Sequence, residues 1–411
     1  MIAALLPNAG MGWLAPLRGR LFAAVLSLVA ATVPAPPLMA NERVDAMLER
    51  LDERQRSEFE TWRAAQRQHE AQLDAYWKTV DATRTERRRK LRANEAVGPA
   101  DYVMSYPPEY AGPKLSPELA RLWDQLKPPP PPSTIPTVAD MLEGAKAVYG
   151  FVPERILEGE FKRRYALEAV SHGLTKDQIV RVYALETGGM GTHDMQSGIN
   201  PVTRTGKPIS TALGYAQLLH ANSVSELVKH GPTFIARLEA TAKSPGVAPD
   251  RAAKLQKKAR ILKKMLANAR KVPNEWSAHM RFAGTRNGIG IHALNMDGDI
   301  GPMLQVIKLR GVREIAEKAG RPILAPAELE LMNLAGPSTG LEMMTPLGRE
   351  APTPNFFSRG GYQRNPIVHK RTGAELLAAL DQRMDVHVKK DGAVEFARIF
   401  DEVMSTRAAR R

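Results

Sequence analysis

The sequence predicts a mainly α-helical protein, and three observations support this fold class. Apolar residues recur at steps of three or four over long stretches, which is the period of an amphipathic helix. Residues that favour helix ends stand at the borders of these stretches. The alternating pattern of a β-strand is scarce throughout. In the central part of the chain the predicted helices are 138–149, 154–172, 175–186, 222–242, 250–271, 300–319 and 326–334.

Individual residues mark the expected ends of several of these helices. Thr175 and Asp250 are candidates for the N-cap, because their side chains can accept a hydrogen bond from a free N–H of the first turn. Gly173, Gly231 and Gly320 suit the C-terminal ends, where a left-handed residue is often needed. No internal repeat is present.

A helical arm is predicted over residues 41–95. This segment is rich in Arg, Glu and Gln and contains neither glycine nor proline. Its apolar residues follow helical steps with gaps between them, which predicts one or two long helices but not a coiled coil. Such an arm could contact a protein partner.

The composition changes after the arm and divides the rest of the chain. Residues 96–136 are rich in Pro, Tyr and Gly and include five consecutive prolines, so they predict a stiff Pro-rich linker. Residues 137–385 form the predicted main domain. Residues 386–411 predict a terminal helix over 392–405 and a basic tail.

Charge and cysteine content limit the classes of function. The chain has 411 residues and a formal net charge of +14, which favours an anionic partner such as nucleic acid, acidic lipid headgroups or a carboxylate-bearing cell-wall polymer. Charge alone does not choose among them, and because no nucleic-acid-binding motif accompanies it, no nucleic acid is expected. There is no cysteine, which excludes disulfides, thiolate metal sites, a cysteine nucleophile and a lipid-modified cysteine.

The N-terminal segment has the layout of a secretory signal peptide. Arg18 and Arg20 precede an apolar run, 21–33, that is too short to cross the roughly 30 Å hydrocarbon core of a bilayer as a helix. A stretch with small residues follows and ends at Ala40. We expect residues 1–40 to be a signal peptide cut after Ala40, and the protein to be exported to the periplasm. The alternative is an uncleaved membrane anchor.

Glu186 is the residue that carries a chemical hypothesis. It ends the predicted helix 175–186 and is followed by Thr187, Gly188 and Gly189. A carboxylate at this end of a helix faces the negative end of the helix dipole, and apolar neighbours would desolvate it. Both effects raise the pKa of a carboxyl group, which then can serve as a general acid. The two glycines would let backbone approach a bound polymer closely. The alternative is a surface glutamate before a C-cap glycine.

Two later segments give Glu186 a wider context. Glu186-Thr-Gly-Gly is followed by Ser210-Thr-Ala-Leu-Gly-Tyr-Ala-Gln217 and by Asn333-Leu-Ala-Gly-Pro-Ser-Thr-Gly340. This order resembles that of the soluble lytic transglycosylases of the lysozyme-like superfamily, over residues 150–345. The resemblance implies a lysozyme-like helical catalytic domain within 137–385.

The resemblance also implies an activity and site residues. Glu186 would be the single acid and base that cleaves the β-1,4 bond between N-acetylmuramic acid and N-acetylglucosamine in peptidoglycan, with formation of a 1,6-anhydro ring. The residues implied to bind the glycan are Thr187, Ser210, Gly214, Tyr215, Gln217 and Asn333. Tyr215 would stack on a sugar or hydrogen-bond to it, and Gln217 would line the binding groove. Asn333 would orient an acetamido group or support Glu186. No cofactor and no metal is expected.

The sequence departs from the family pattern at several positions. Thr187 stands where serine is usual, Ala216 stands where methionine is usual, and Leu334 is an additional residue. The interval between Glu186 and Gln217 is longer than usual, which implies an inserted loop around 190–207.

Other interpretations remain open at this point. A non-catalytic peptidoglycan-binding or scaffolding protein with the same fold is the main alternative, and a hydrolytic muramidase is another. Asp194 could be an auxiliary carboxylate, and residues 292–299 predict a turn before the helix that begins near residue 300. The basic helix 250–271 carries nine Lys or Arg, for which an anionic ligand and a solvated surface are both possible.

Overall fold

The computed structural model describes residues 37–129 and 133–409, with side chains described from residue 41 onward. Within these residues 67% of the chain is helical and no β-strand occurs, although four isolated β-bridges do. The prediction of a mainly α protein is confirmed. Most of the predicted signal peptide, part of the five-proline run and the last two residues lie outside the described residues.

The described residues form seventeen α-helices. Their bounds are α1 Pro37–Leu48, α2 Glu53–Arg92, α3 Pro117–Gln125, α4 Val138–Tyr149, α5 Glu158–Ser171, α6 Lys176–Thr187, α7 His220–Ala242, α8 Pro249–Ala269, α9 Trp276–Ala283, α10 Arg286–His292, α11 Gly301–Lys318, α12 Pro326–Ala335, α13 Pro337–Met343, α14 Pro346–Glu350, α15 Arg359–Arg364, α16 Gly373–His387 and α17 Asp391–Ala409. None of them combines the length and apolar character needed to span a membrane.

The predicted helix ends are confirmed at three of five positions. Thr175 caps α6, with its side chain accepting from Gln178 N–H, and Gly173 and Gly320 follow the ends of α5 and α11 with φ of 72° and 81°. Asp250 is not an N-cap. Pro249 already occupies the first turn of α8, where Asp250 instead places its negative charge near the positive end of the helix dipole.

The prediction that Gly231 ends a helix is wrong, since α7 continues to Ala242. A Cβ at Gly231 would stand 3.1 Å from a methyl carbon of Leu227 and 3.3 Å from one of Leu266. The missing side chain therefore lets α7 and α8 approach each other closely.

Helix α6 lies at the centre of the main core. It packs against α5, α12, α16 and α17, and its apolar residues are buried on more than one face. The buried apolar residues of α6 are Ile179, Val180, Val182, Tyr183 and Ala184. The predicted boundary after residue 385 falls inside α16, and α17 packs against α5 and α6 with Phe396 and Phe400 buried. The C-terminal helix is thus part of the main core.

The N-terminal arm consists of two helices, α1 and α2. Helix α2 has 40 residues, so it is about 60 Å long. It begins at a break where the Asp52 side chain accepts from Gln55 N–H and completes a capping box. Near the start of α2 lies a second, smaller core, which we call the headpiece: α1, residues 53–63 of α2, and α3. Its buried residues are Val44, Met47, Phe59 and Leu119.

The Pro-rich segment is not a free spacer where the structure describes it. Residues 98–126, which we call the strap, run antiparallel along α2 and end in α3 at the headpiece. The contacts along α2 are Lys90 with Asp101, Tyr76 with Ser105, His69 with Tyr110 and Glu58 with Ser116. The composition that predicts a linker therefore corresponds to an extended segment packed on a helix.

Two arginines near the end of α2 attach the arm to the main domain. Arg84 donates to the carbonyl oxygens of Pro354, Asn355 and Phe357. Arg87 is fully buried, forms an ion pair with Glu342 and donates to the carbonyl of Asn355 at 2.9 Å. The arm and the main domain thus share one core at this junction.

Replacing Arg87 by Met should lower the free energy of unfolding by about 3 kcal/mol, because it leaves the largely buried Glu342 carboxylate without its partner. Chemical denaturation of the purified variant measures this. The matched control is Arg89→Met, which removes an exposed arginine from the same helix and should leave the transition midpoint unchanged. Equal effects of the two substitutions would contradict a structural role for the buried pair.

Candidate active site

Glu186 lies in the last turn of α6, next to the residue that ends it. Gly188 follows in the left-handed conformation with φ of 64° and terminates the helix. The Glu186 side chain is partly accessible, yet protein atoms surround its carboxyl group on most sides. Burial raises the pKa of this carboxyl, and nearby positive charges and hydrogen-bond donors offset the increase only in part.

Asn333 and Glu330 reach Glu186 from α12. The side-chain amide nitrogen of Asn333 is 3.0 Å from one carboxyl oxygen of Glu186 and 3.3 and 3.2 Å from the two oxygens of Glu330. Asn333 and Glu330 are 7% and 2% exposed. One amide group therefore joins two carboxyl groups, one partly accessible and one fully enclosed.

Charged groups on neighbouring helices act on this pair. Lys308 of α11 and Arg383 of α16 stabilise the ionised form of Glu186. Burial lowers the pKa of Lys308, while Glu330, Glu186 and Glu226 of α7 act to raise it. Burial likewise raises the pKa of Glu330 well above its ordinary range, and the charge of Glu186 adds to that increase. Burial thus favours the neutral forms of all three groups.

Two of the three residues that follow Glu186 are occupied by contacts within the protein. The hydroxyl of Thr187 donates to the carbonyl of Tyr183 at 2.7 Å, and Thr187 is 2% exposed. A Cβ at Gly189 would overlap with the carbonyl oxygen of His387, so this glycine lets the chain pass the end of α16. Of the two glycines after Glu186, only Gly188 has open space at the position that a Cβ would occupy.

The loop after α6 ends in a tight hairpin turn that carries Gly214 and Gln217. The backbones of Leu213 and Leu218 exchange two hydrogen bonds of 3.0 Å, with 214–217 as the turn. Gly214 and Gln217 have positive φ angles of 78° and 41°. The buried Gln305 of α11 packs against Gly214 and accepts from Ala216 N–H at 3.2 Å.

Tyr215 lies in the core and not on a surface. It is 1% exposed, and its hydroxyl donates to Glu158, which also accepts from His193 at 2.8 Å. The rings of Tyr165 and Tyr183 lie 5.4 and 4.8 Å from the Tyr215 ring. The predicted stacking on a sugar does not fit this position, because core residues already cover the ring.

Ser210 and Gln217 also satisfy their own loop. Ser210 accepts from Ala212 N–H at 3.1 Å through its hydroxyl oxygen. The amide of Gln217 donates to the carbonyls of Gly214 and Met195, at 2.8 and 3.3 Å. Both side chains are partly accessible.

The predicted site residues therefore fall into two groups. Glu186 and Asn333 are in direct contact. In the second group, Thr187 donates a hydrogen bond within its own helix, and Ser210, Gly214, Tyr215 and Gln217 belong to the loop, where Tyr215 packs against Tyr165 and against Tyr183 of α6. Sequence reasoning did not find Glu330, Lys308 or Gln305. Glu330 had a signal, because it stands three residues before Asn333 and so lies on the same face of a helix.

Histidine and acidic residues in the described part of the chain form no group of three or more that could hold a metal ion. The carboxylate of Asp194, considered above as an auxiliary carboxylate, is paired with Arg155 and Arg204. Asp297 and Asp299, which follow α10, form ion pairs with the buried Lys258 of α8. Lys258 is one of the nine basic residues of the predicted helix 250–271, and it faces the protein interior.

A cavity of about 430 Å³ lies beside α5, away from Glu186 and Asn333. It is lined by residues of α5, α7, α8 and the start of α11, including Arg164, Arg237 and Arg251. Each of these arginines is already paired with a carboxylate, and neither Glu186 nor Asn333 lines the cavity.

Comparisons with known proteins found no similar protein. No family model matches this chain, and neither does any curated protein or solved structure.

Replacing Gly214 by Ala should lower the free energy of unfolding by about 2–4 kcal/mol. The added methyl group would be forced into a left-handed backbone and against the buried amide of Gln305. Gly188→Ala is the matched control, because it has a similar φ but open space, and should cost only about 1 kcal/mol. Denaturant unfolding of both variants measures the difference, and equal losses would contradict a clash at Gln305.

The buried side chain of His292 holds the backbone of the same loop at Thr211. The ring of His292 is fully buried, with Nε2 donating to the carbonyl of Thr211 at 2.7 Å and Nδ1 paired with the hydroxyl of Ser223 at 2.8 Å. Burial lowers the pKa of His292 to about 3. The imidazole is therefore neutral when the protein is folded near neutral pH.

Stability should fall with acidity because of His292. Between about pH 6.5 and 3, His292 binds a proton in the unfolded chain but stays neutral in the folded protein. Its contribution to the free energy of unfolding is therefore complete above pH 6.5. Below that pH the contribution decreases, with a slope of up to about 1.4 kcal/mol per pH unit. Urea unfolding at a series of pH values should show this slope reduced in His292→Gln. An unchanged slope in the variant would assign the acid sensitivity to other groups.

Proposed function

We propose that this protein is a lytic transglycosylase that cleaves peptidoglycan in the periplasm, with Glu186 as its general acid and base. The observation that carries the proposal is the state of Glu186. Its carboxyl is partly accessible, has a raised pKa and is held by the Asn333 amide at 3.0 Å. A positioned carboxyl with a raised pKa is suited to donating a proton to a glycosidic oxygen.

The reaction can be written with this residue alone. Glu186 gives its proton to the glycosidic oxygen, which leaves with the electron pair of the bond to C1 of the muramic acid residue. The 6-hydroxyl oxygen of the same sugar then forms a bond to C1 and closes the 1,6-anhydro ring. Its proton goes to the Glu186 carboxylate, so the enzyme returns to its starting state without a cofactor.

The position of Glu330 favours this reaction over ordinary hydrolysis. Most glycosidases place a second carboxylate across the sugar ring, at least about 5 Å from the first. Glu330 is 2% exposed and lies behind Glu186 on the same Asn333 amide, so it does not face a substrate. An internal hydroxyl nucleophile needs no second carboxylate.

The chain's charge and N-terminal layout agree with a cell-wall substrate. Peptidoglycan carries carboxylates on its peptide stems, which a chain of net charge +14 would attract. The apolar segment 21–33 and the small residues before Ala40 suit export to the compartment in which peptidoglycan lies. A lysozyme-like arrangement of the helices around Glu186 belongs to the same proposal.

A non-catalytic peptidoglycan-binding or scaffolding protein is the second candidate. The burial of Thr187 and Tyr215 favours it, because two side chains expected to touch the glycan are occupied within the core. The arm and its headpiece would then supply the contacts to a protein partner.

Digestion of purified peptidoglycan sacculi tests the proposal. The wild-type protein should release 1,6-anhydromuropeptides, and Glu186→Gln should lower their rate of release by at least about 100-fold, because Gln cannot transfer a proton. Mass spectrometry of the soluble products measures this. Glu350→Gln, which changes an exposed glutamate, is the matched control and should keep the wild-type rate.

The other outcomes separate the alternatives. Products with a reducing muramic acid end would indicate a hydrolase. Binding to sacculi by wild type and Glu186→Gln alike, without products from either, would support the scaffold and reject the enzyme. An active Glu186→Gln would remove this residue from the chemistry.

A further inference from the structure

Glu330 is a buried carboxyl group with no role in the chemistry described above. It is 2% exposed, on the face of α12 that also carries Asn333. The charge acting on it from α11 is that of Lys308, which stabilises its ionised form without forming an ion pair with it. An ionised carboxylate enclosed in this way would lack the partner that burial of a charge requires.

The Asn333 amide cannot satisfy two carboxylates. It has two N–H groups, and three carboxyl oxygens lie within 3.3 Å of its nitrogen. If both glutamates were ionised, their like charges would face each other across one amide group. The arrangement is satisfied when one carboxyl keeps its proton and donates it in a hydrogen bond to the other.

Burial decides which carboxyl keeps the proton. Glu330 is enclosed, whereas Glu186 is partly accessible and has Arg383 of α16 within electrostatic reach; Lys308 acts on both carboxyl groups. The other ionisable groups facing the site are Tyr165 of α5, which is neutral because burial raises its pKa, and Glu226 of α7, which acts on Lys308. These surroundings make Glu186 the first of the pair to ionise.

We propose that Glu330 is a permanently protonated positioning residue, whose carboxyl O–H donates a hydrogen bond to Glu186 whenever Glu186 is ionised. The catalytic part of this inference rests on the proposed function, while the protonation of Glu330 does not. After Glu186 has given its proton to the leaving oxygen, the O–H of Glu330 and the N–H of Asn333 stabilise the resulting carboxylate. Glu330 keeps its own proton throughout.

This arrangement explains how one carboxyl can act both as acid and as base. Burial alone would hold the proton on Glu186 so strongly that its loss would be difficult. Hydrogen bonds to the ionised form lower the pKa again, toward the range in which both transfers proceed. Glu330 would thus set the pH range of the reaction without touching the substrate.

Two substitutions of Glu330 test this through the pH dependence of sacculus cleavage. Glu330→Gln keeps a neutral hydrogen-bond donor and should leave the alkaline limb of the profile within about 0.3 pH unit of wild type. Glu330→Leu removes the donor and should move that limb upward by about one pH unit or more, with a lower maximal rate. Circular dichroism and thermal melts of both variants confirm that they fold.

An ionised Glu330 would shift the alkaline limb of the pH profile in the opposite direction. If Glu330 were ionised, Glu330→Gln would remove a negative charge beside Glu186 and move the alkaline limb downward. That result would overturn the proposal. An unchanged limb in both variants would reduce Glu330 to a structural role and would overturn it as well.

Infrared spectroscopy tests the protonation of Glu330 even if the protein cleaves nothing. Difference spectra at pH 7 compare Glu186→Gln with the double variant Glu186→Gln/Glu330→Gln. The single variant should show the carbonyl stretch of a protonated, buried carboxyl group, and the double variant should lack it. Absence of the band from the single variant would overturn the inference. Its presence together with inactive wild-type protein would reject the proposed function alone.

Discussion

The enclosure of α6 is the constraint on which the core and the candidate site both depend. Helices α5, α12, α16 and α17 pack around it and bury most of its side chains, while Lys176 and Asp177 at its start are exposed and partly accessible residues stand near its C-terminal end. Glu186 occupies that end. Its carboxyl group therefore borders the solvent while remaining surrounded by protein, and this position is the physical origin of its raised pKa. The Asn333 amide completes the arrangement by joining α6 to α12.

The long helices could be predicted from the sequence because each carries an extended apolar stripe. Helix α4 matches its predicted range, and α6 differs from its own by one residue at each end. Short helices such as α10 and α13 were not predicted, since seven residues are too few to display a period. Gly231 shows a second limit. The same residue type ends one helix and lets another pair of helices pack closely, and only the contact with Leu266 distinguishes the two uses.

The candidate site could be predicted in part, for a related reason. The pairing of Glu186 with Asn333 joins two segments nearly 150 residues apart, and it was one of two roles that the family resemblance implied for Asn333. Tyr215 was assigned to the ligand because an aromatic ring suits both a sugar and a core, and sequence does not distinguish them. Its burial against Tyr165 and Tyr183 is a product of tertiary packing. Glu330 was overlooked because a buried glutamate looks in sequence like any exposed helical one.

The continuity of α2 has a mechanical consequence. Phe59 belongs to the headpiece core and Trp77 to the main core, and unbroken helix spans the roughly 27 Å between them. Such a rod bends little, and the strap lies along it like a brace. A force on the headpiece would therefore be transmitted along α2 to the main-domain carbonyls that Arg84 contacts, and it would act there as a torque.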